Sequence, residues 1–196
     1  MLDRLQHMIQ RLANGHVILL LLAAVIALRV IMGLPNDPFG LNPHLARLGG
    51  AAILDMQIGY TPEDAYALLE GLGAEGRQAY AAMLLIGDML FPISYSLLFA
   101  TIAAWLLARV APPDHWAQKL SLIALIGGIS DIAENLSILT MILAFPQRLD
   151  SIAWFSSLIK ITKFGSAAVG APLIVVFAVI LVWKHTVGHR KQSGKT

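Results

Sequence analysis

The chain has 196 residues, of which 57% are hydrophobic and 13% are charged, with a formal net charge of +2 and a mean hydropathy of +0.70. Soluble domains contain about 45–50% apolar and about 25% charged residues, so a soluble globular enzyme is excluded. A disordered chain is excluded as well, because disorder requires low hydrophobicity and high net charge. The chain has no cysteine, which removes disulfides and thiolate metal sites. The composition indicates a membrane protein.

The first predicted element is an amphipathic helix at the N-terminus. Its apolar residues recur at spacings of three and four and are Leu2, Leu5, Ile9 and Leu12. Arg4 and Arg11 lie one heptad apart on another face. The pattern predicts an interfacial helix whose basic face contacts anionic lipid. A simple topology signal at the start of the chain explains the same residues equally well.

Four segments are long and apolar enough to cross the bilayer, which takes about 20 residues in a helix. They cover residues 17–34, 80–110, 120–145 and 152–183. We therefore expect an all-α fold with a single membrane domain over residues 1–196, built as an integral membrane four-helix bundle.

The first span also has the form of a signal peptide, an apolar run behind a basic start. Cleavage requires a small-residue site and a polar mature start. Here Arg29 is followed by Val30, Ile31 and Met32, which favours a retained helix.

Basic residues outside the helix interiors predict the orientation. Eight lie on the side of both termini and three on the other side. The first set is Arg4, Arg11, Arg109, Lys119, Lys184, Arg190, Lys191 and Lys195, and the second is Arg47, Arg77 and Arg148. The positive-inside rule then places both termini in the cytoplasm. We expect a multi-pass protein of the bacterial inner (cytoplasmic) membrane.

The extracytoplasmic loop over residues 35–76 is too long to be a bare connection. Its proline and glycine residues predict consecutive turns over residues 35–43. Thr61, followed by a proline and two acidic residues, predicts the N-cap of a short capping helix that ends at Gly71. A new helix then begins near Ala74 and continues into the second span.

Ionisable residues inside the predicted spans share one depth, the outer half of the bilayer, when the helix rise is counted from the cytoplasmic ends. Asp131, Glu134 and Asn135 share one face of the third span, because they are spaced i, i+3 and i+4. Lys160 and Lys163 share a face of the fourth span. These five residues are candidate ligand-binding residues.

The first two spans supply the remaining candidates. Asp88, Pro92 and Tyr95 share a face of the second span, and Arg29 lies near the end of the first. Pro92 lacks an N–H and therefore frees a backbone carbonyl that another polar group can use. The candidate ligand-binding residues from these spans are thus Arg29, Asp88 and Tyr95.

The cluster has three acidic and three basic residues and can be neutral as a whole. An ionisable group in a spanning helix costs roughly 2.5–3.5 kcal/mol, so a common depth for all of them indicates a retained use. The functional interpretation is a polar pocket for an amphipathic ligand. The structural alternative is an interhelical ion network that fixes helix register.

Other chemistry finds little support in the sequence. The six histidines lie at helix ends or in loops, which disfavours a haem between the spans. Zinc-peptidase, serine-hydrolase and phosphate-loop motifs do not occur. We therefore predict no metal, no cofactor and no nucleic-acid partner. Small residues predict close helix contacts at Gly127-Gly128, over residues 165–168 and at Gly170-Ala171.

Short motifs extend over most of the chain. They are Tyr-Thr-Pro-Glu-Asp at 60–64, Gly-Ala-Glu-Gly-Arg at 73–77, Asp-Met-Leu-Phe-Pro at 88–92, Asp-Ile-Ala-Glu-Asn at 131–135, and Lys160 in the last span. In these motifs the chain resembles a group of small bacterial four-span membrane proteins. The resemblance implies the four-span fold and no particular activity.

A second, weaker resemblance rests on Asp88, Glu134 and Asn135. These residues are similar to the acidic residues and asparagine in the membrane pocket of the EXPERA family, which includes sterol isomerases and lipid-ligand receptors. The intramembrane histidine of the isomerases has no counterpart here. The resemblance therefore implies binding rather than isomerisation.

Three functions remain open at this point. The first is a membrane protein that binds a lipid or amphipathic small molecule. The second is an accessory or structural subunit of a larger membrane protein complex. The third is an intramembrane enzyme in which Glu134 or Asp131 acts as general acid or base and a lysine stabilises developing negative charge.

Overall fold

The computed structural model describes residues 1–32, 38–113 and 115–193, and within these ranges the chain is helical and has no strand, which confirms the all-α class. The α-helices are α1 Leu2–Leu12, α2 Gly15–Met32, α3 Asn42–Arg47, α4 Pro62–Ala82, α5 Leu90–Val110, α6 Ile123–Ala144 and α7 Asp150–Ser193. The predicted end of the first span at Leu34, the predicted turn over residues 35–37, and Lys195 of the basic C-terminus lie outside the described residues.

Four helical stretches in the described part of the chain are long and apolar enough to cross a membrane, as predicted. They are Gly15–Met32, Pro62–Val110, Trp116–Ala144 and Asp150–Lys184. Three of them are longer than expected, because helical turns made of less apolar residues extend the spanning segments at their ends.

The second stretch is one helical path with two irregularities. A capping box between Thr61 and Asp64 starts α4, as the sequence predicts. The predicted end of the capping helix at Gly71 is wrong by two residues: the break is at Gly73, whose φ of 67° is a left-handed conformation that favours glycine. A π-helical turn, Met83–Asp88, then joins α4 to α5 and was not predicted.

The third stretch and the outer loop also differ from prediction. The predicted span start at residue 120 lies within a 3-10 helix, Trp116–Leu122, that precedes α6. Gln118 fixes this turn, because its side-chain amide donates to the carbonyls of Leu107, Ala111 and Pro112. In the outer loop, the turn expected at residues 42–43 is instead the start of α3, in which the proline occupies the first helical turn.

The long helices pack closely around α5 and α6. α6 lies along α7, and α5 contacts α2, α6 and α7. A Cβ atom at Gly128 would lie 2.5 Å from the Ser96 Oγ and 3.0 Å from the Pro92 carbonyl oxygen, and one at Gly127 would meet Ser166. These two glycines are therefore at close helix contacts, as predicted. The same prediction is wrong for Gly165, because a Cβ atom added there would have no neighbour within 4 Å.

The N-terminal helix α1 docks on α5 and on the 3-10 helix. Gln6 and Ile9 are buried in this contact, whereas Leu2 remains exposed. Asp3 and Lys119 form an ion pair of 2.9 Å at its edge. The hydrogen bond and charge of Lys119 lower the pKa of Asp3. One face of the amphipathic pattern therefore contacts the protein itself.

Candidate functional site

An ion network joins α5, α6 and α7. Lys163 Nζ lies 2.6 Å from Asp131 Oδ1 and 3.2 Å from Glu134 Oε2, and Lys160 Nζ lies 2.9 Å from Glu134 Oε1. The Tyr95 hydroxyl donates to Asp131 Oδ2 at 2.9 Å. The i, i+3 spacing on both helices makes this possible, because it turns both acids of α6 toward both lysines of α7.

Lys160 connects this network to the outer loop. Its side chain is fully buried, and its ammonium donates to the carbonyls of Leu54 and Gln57 as well as pairing with Glu134. The Nζ atom also lies 5.0 Å from the centroid of the Tyr60 ring. The three donors of the ammonium thus hold the segment around residues 54–57 against α6 and α7.

Asn135 uses the carbonyl that Pro92 leaves free. In a regular helix the N–H of residue 92 would bond to the carbonyl of residue 88, and proline has no N–H. Asn135 Nδ2 donates to the Asp88 carbonyl oxygen instead, at 2.7 Å. This contact fixes the end of the π-helical turn, and π-helical turns occur frequently at functional sites.

A cavity of about 820 Å³ lies beside the network. Its polar end is lined by Arg29, Asp55, Asp88, Tyr95, Asp131 and Lys163. Its apolar walls include Phe91, Phe99, Ala103, Leu173, Ile174 and Phe177. From Lys163 to Phe177 the helix α7 rises about 21 Å, at 1.5 Å per residue. The cavity is therefore elongated along the helices, polar at one end and apolar over most of its length.

The structure brings the predicted site residues into one region but divides them by role. Arg29, Asp88, Tyr95, Asp131 and Lys163 line the cavity. The remaining three, Glu134, Asn135 and Lys160, are fully buried and do not appear on its wall. The pocket and the ion network, which the sequence presented as alternatives, are both present and share Asp131 and Lys163.

Asp55 is a further residue of this region that the sequence patterns did not predict, because it lies in the outer loop outside any helical periodicity. Asp55 is partly buried, lines the cavity and accepts a hydrogen bond from the Tyr80 hydroxyl at 2.9 Å. Burial raises the pKa of the Asp55 carboxyl. Two features of the sequence could have pointed to Asp55: the unusual length of the loop, and the two lysines, Lys160 and Lys163, which require acceptors. With Asp55 included, the described region has four acids (Asp55, Asp88, Asp131, Glu134) and three bases (Arg29, Lys160, Lys163).

Tyr60 connects the outer loop to α7 through Ser156 and Ser157. The Tyr60 hydroxyl donates to Ser156 Oγ at 2.7 Å, and the Tyr60 N–H donates to Ser157 Oγ at 3.1 Å. Burial raises the pKa of the Tyr60 phenol. The neutral Tyr60 ring therefore lies beside the Lys160 ammonium of the ion network.

Metal binding finds no support in this region: the described residues contain no group of three or more His, Asp or Glu side chains arranged to hold a metal ion. Comparison with protein-family models, curated proteins and solved structures finds no match. The interpretation of the site therefore depends on its own geometry, which offers a charged, hydrogen-bonding end and a long apolar wall.

Proposed function

We propose that this chain is a multi-pass membrane protein of the bacterial inner membrane that binds a lipid or another amphipathic small molecule. The four long apolar helices would form a four-helix bundle with both termini in the cytoplasm. The polar end of the cavity would then lie in the outer half of the bilayer, and the break at Gly73 would leave the first part of α4 as an extracytoplasmic cap.

The shape and polarity of the cavity carry this proposal. Ligand pockets commonly have volumes of about 300–1,000 Å³ and combine apolar walls with a few polar groups. A cavity of about 820 Å³ with its charged residues at one end matches a molecule with a polar head and an apolar tail. Ala167 and Ala171 on its wall are exposed, so the tail could enter from the lipid side of α7.

The enzyme hypothesis receives less support from the geometry. Glu134 is fully buried behind the cavity wall and pairs with both lysines, and Asp131 pairs with Lys163. An acid or base must reach the proton that it transfers. Glu134 does not meet this condition, and Asp131 would first have to leave its lysine.

The accessory-subunit hypothesis finds support only in apolar surface. Leu19, Leu20 and Val30 of α2 are exposed, as are Val175 and Val179 of α7. Lipid would cover these side chains as well as a partner subunit would. Purification from native membranes in mild detergent tests this alternative, which requires a partner protein that stays bound to the chain.

Photo-crosslinking tests the lipid-binding proposal. The protein is reconstituted in nanodiscs with a phosphatidylcholine and, separately, with a phosphatidylethanolamine, each carrying a diazirine near the end of one acyl chain, and labelled peptides are mapped by mass spectrometry. We expect labelling around Phe99 and Phe177, at the apolar end of the cavity.

Two neighbouring alanines provide a matched pair of variants. Ala167 lines the cavity and Ala168 does not, and both are exposed on α7. Ala167→Phe should displace about two methylenes of a bound tail, each worth about 0.8 kcal/mol, and so lower cavity labelling about tenfold. Ala168→Phe should leave the labelling unchanged. Equal labelling of both variants, or labelling confined to outward-facing residues, would overturn the proposal.

A further inference from the structure

The polar end of the cavity has acidic residues without basic partners. Lys160 forms an ion pair with Glu134, and Lys163 forms ion pairs with Asp131 and Glu134. Of the basic side chains that the structure describes, none has a nitrogen within 4.0 Å of the carboxylate oxygens of Asp55 or Asp88. Among the described residues, the polar end of the cavity therefore has two carboxyl groups without a direct ion pair.

The hydrogen-bond partners of these two carboxyl groups are neutral. The Tyr80 hydroxyl donates to Asp55, and the side-chain amide of Asn135 lies beside Asp88. Lys163 acts on both carboxyl groups through its charge alone, and Asp131 adds a further negative charge near Asp88. Asp88 is only 7% exposed although it lines the cavity. A buried charge without a partner is costly, so this end of the cavity is suited to a group that brings both positive charge and N–H donors.

Arg29 supplies the opposite charge on the wall of the same cavity. It is exposed, lies near the end of α2 and forms no ion pair within the described part of the chain. Guanidinium groups bind phosphate with two parallel hydrogen bonds. The cavity wall thus presents one exposed residue that can bind an anion and two less exposed carboxyl groups.

We propose that the ligand is a zwitterionic aminophospholipid-like amphiphile, whose protonated amine lies between Asp55 and Asp88 and whose phosphate contacts Arg29. This inference rests on the proposed lipid-binding function and adds the chemistry of the headgroup. A quaternary ammonium would supply the charge but no N–H donor for the Asp55 and Asp88 carboxyl groups. A primary ammonium supplies three.

Competition in nanodiscs tests the headgroup. The probe is phosphatidylethanolamine with an acyl-chain diazirine in a phosphatidylcholine bilayer. The competitors are unlabelled phosphatidylethanolamine, its N-acetyl derivative, phosphatidylglycerol and dodecylamine. A hydrogen bond to a charged group is strong enough that removing the amine charge should weaken competition at least about tenfold. Phosphatidylethanolamine should therefore displace the probe at about one tenth of the concentration needed for its N-acetyl derivative or for phosphatidylglycerol.

Variants assign the two charges to residues. Asp55→Asn and Asp88→Asn should remove most of the preference for the amine, while Glu75→Gln, an exposed acid away from the cavity, should retain it. Arg29→Gln should weaken phosphatidylethanolamine and phosphatidylglycerol alike and leave dodecylamine unaffected. The wild-type competition series stands by itself if a variant fails to fold.

The outcomes separate this inference from the function on which it rests. Cavity labelling that all phospholipids compete for equally would overturn the headgroup assignment and leave lipid binding intact. Dodecylamine competing as well as phosphatidylethanolamine, with no effect of Arg29→Gln, would overturn the phosphate contact and indicate a simple amine. Absence of cavity labelling by any phospholipid probe would overturn the proposed function itself.

Discussion

Replacing Lys160 by methionine tests the ion network most directly. The substitution preserves most of the side-chain volume and removes the ammonium that pairs with Glu134 at 2.9 Å and holds the carbonyls of Leu54 and Gln57. Glu134 would keep only its 3.2 Å contact with Lys163. The buried network would thus have one charge uncompensated and two carbonyls without donors.

The expected loss is large for a single substitution. Breaking a buried ion pair by removing one partner costs about 3–5 kcal/mol, and each buried acceptor left without a donor costs about 1–3 kcal/mol. These costs are not additive, because the loop around residues 54–57 can move and admit water. We expect Lys160→Met to lower the free energy of unfolding by about 3–5 kcal/mol.

Unfolding by sodium dodecyl sulfate in mixed micelles, followed by circular dichroism, measures this loss. Lys119→Met is the matched control, since it removes the same group from the exposed ion pair with Asp3, and exposed ion pairs contribute little to stability. Adding Glu134→Gln to Lys160→Met should recover part of the loss by removing the uncompensated charge. A loss below about 1 kcal/mol for Lys160→Met, equal to that of the control, would refute the view that this network holds the loop in place.

Three further predictions use the same unfolding measurement. Asn135→Leu should lower the free energy of unfolding by about 1–3 kcal/mol, because it leaves the Asp88 carbonyl without a donor. Pro92→Ala in the same chain should reduce this loss by restoring a backbone N–H. If the effects of the two substitutions are independent, Asn135 does not have this role. Gly128→Leu should lower the free energy of unfolding by about 1–3 kcal/mol, because the larger side chain overpacks against Ser96. Gly165→Ala should raise it by about 0.5–1 kcal/mol, because alanine is the better helix residue and has space there. A Gly165→Ala protein less stable than the Gly128→Leu protein would be inconsistent with this packing. Asp55→Asn should stabilise the ligand-free protein at pH 7.5 but not at pH 4, because a carboxyl whose pKa is raised in the folded state destabilises that state only above its unfolded pKa; a gain that is the same at both pH values would contradict this origin.

Much of the candidate site followed from local spacing. The i, i+3 and i, i+4 relations predicted which side chains of α6 and α7 share a face, and Pro92 predicted a free carbonyl in the second span. The partners of these groups were beyond the sequence. Lys160 bonds to carbonyls of residues 54 and 57, and such contacts depend on where a loop returns in space.

The count of acidic and basic residues in the site also depended on where the outer loop lies in the tertiary structure. Asp55 has no periodic neighbour that marks it as buried, so local spacing predicted a neutral cluster of three acids and three bases. The contact with Tyr80 and the position on the cavity wall add a fourth acid. This addition changes the interpretation from a self-compensating network to a network beside a pocket with uncompensated carboxyl groups.

The sequence by itself determined the all-α class, the four long apolar helices, the start of the capping helix at Thr61 and the faces on which the charges lie. These properties depend on composition and on residues within one or two helical turns of each other. The tertiary structure alone decided the π-helical turn before α5, the division of the charged residues between a sealed network and a cavity wall, and the inclusion of Asp55. These features arise where helices and a loop distant in sequence meet, so no local pattern specifies them.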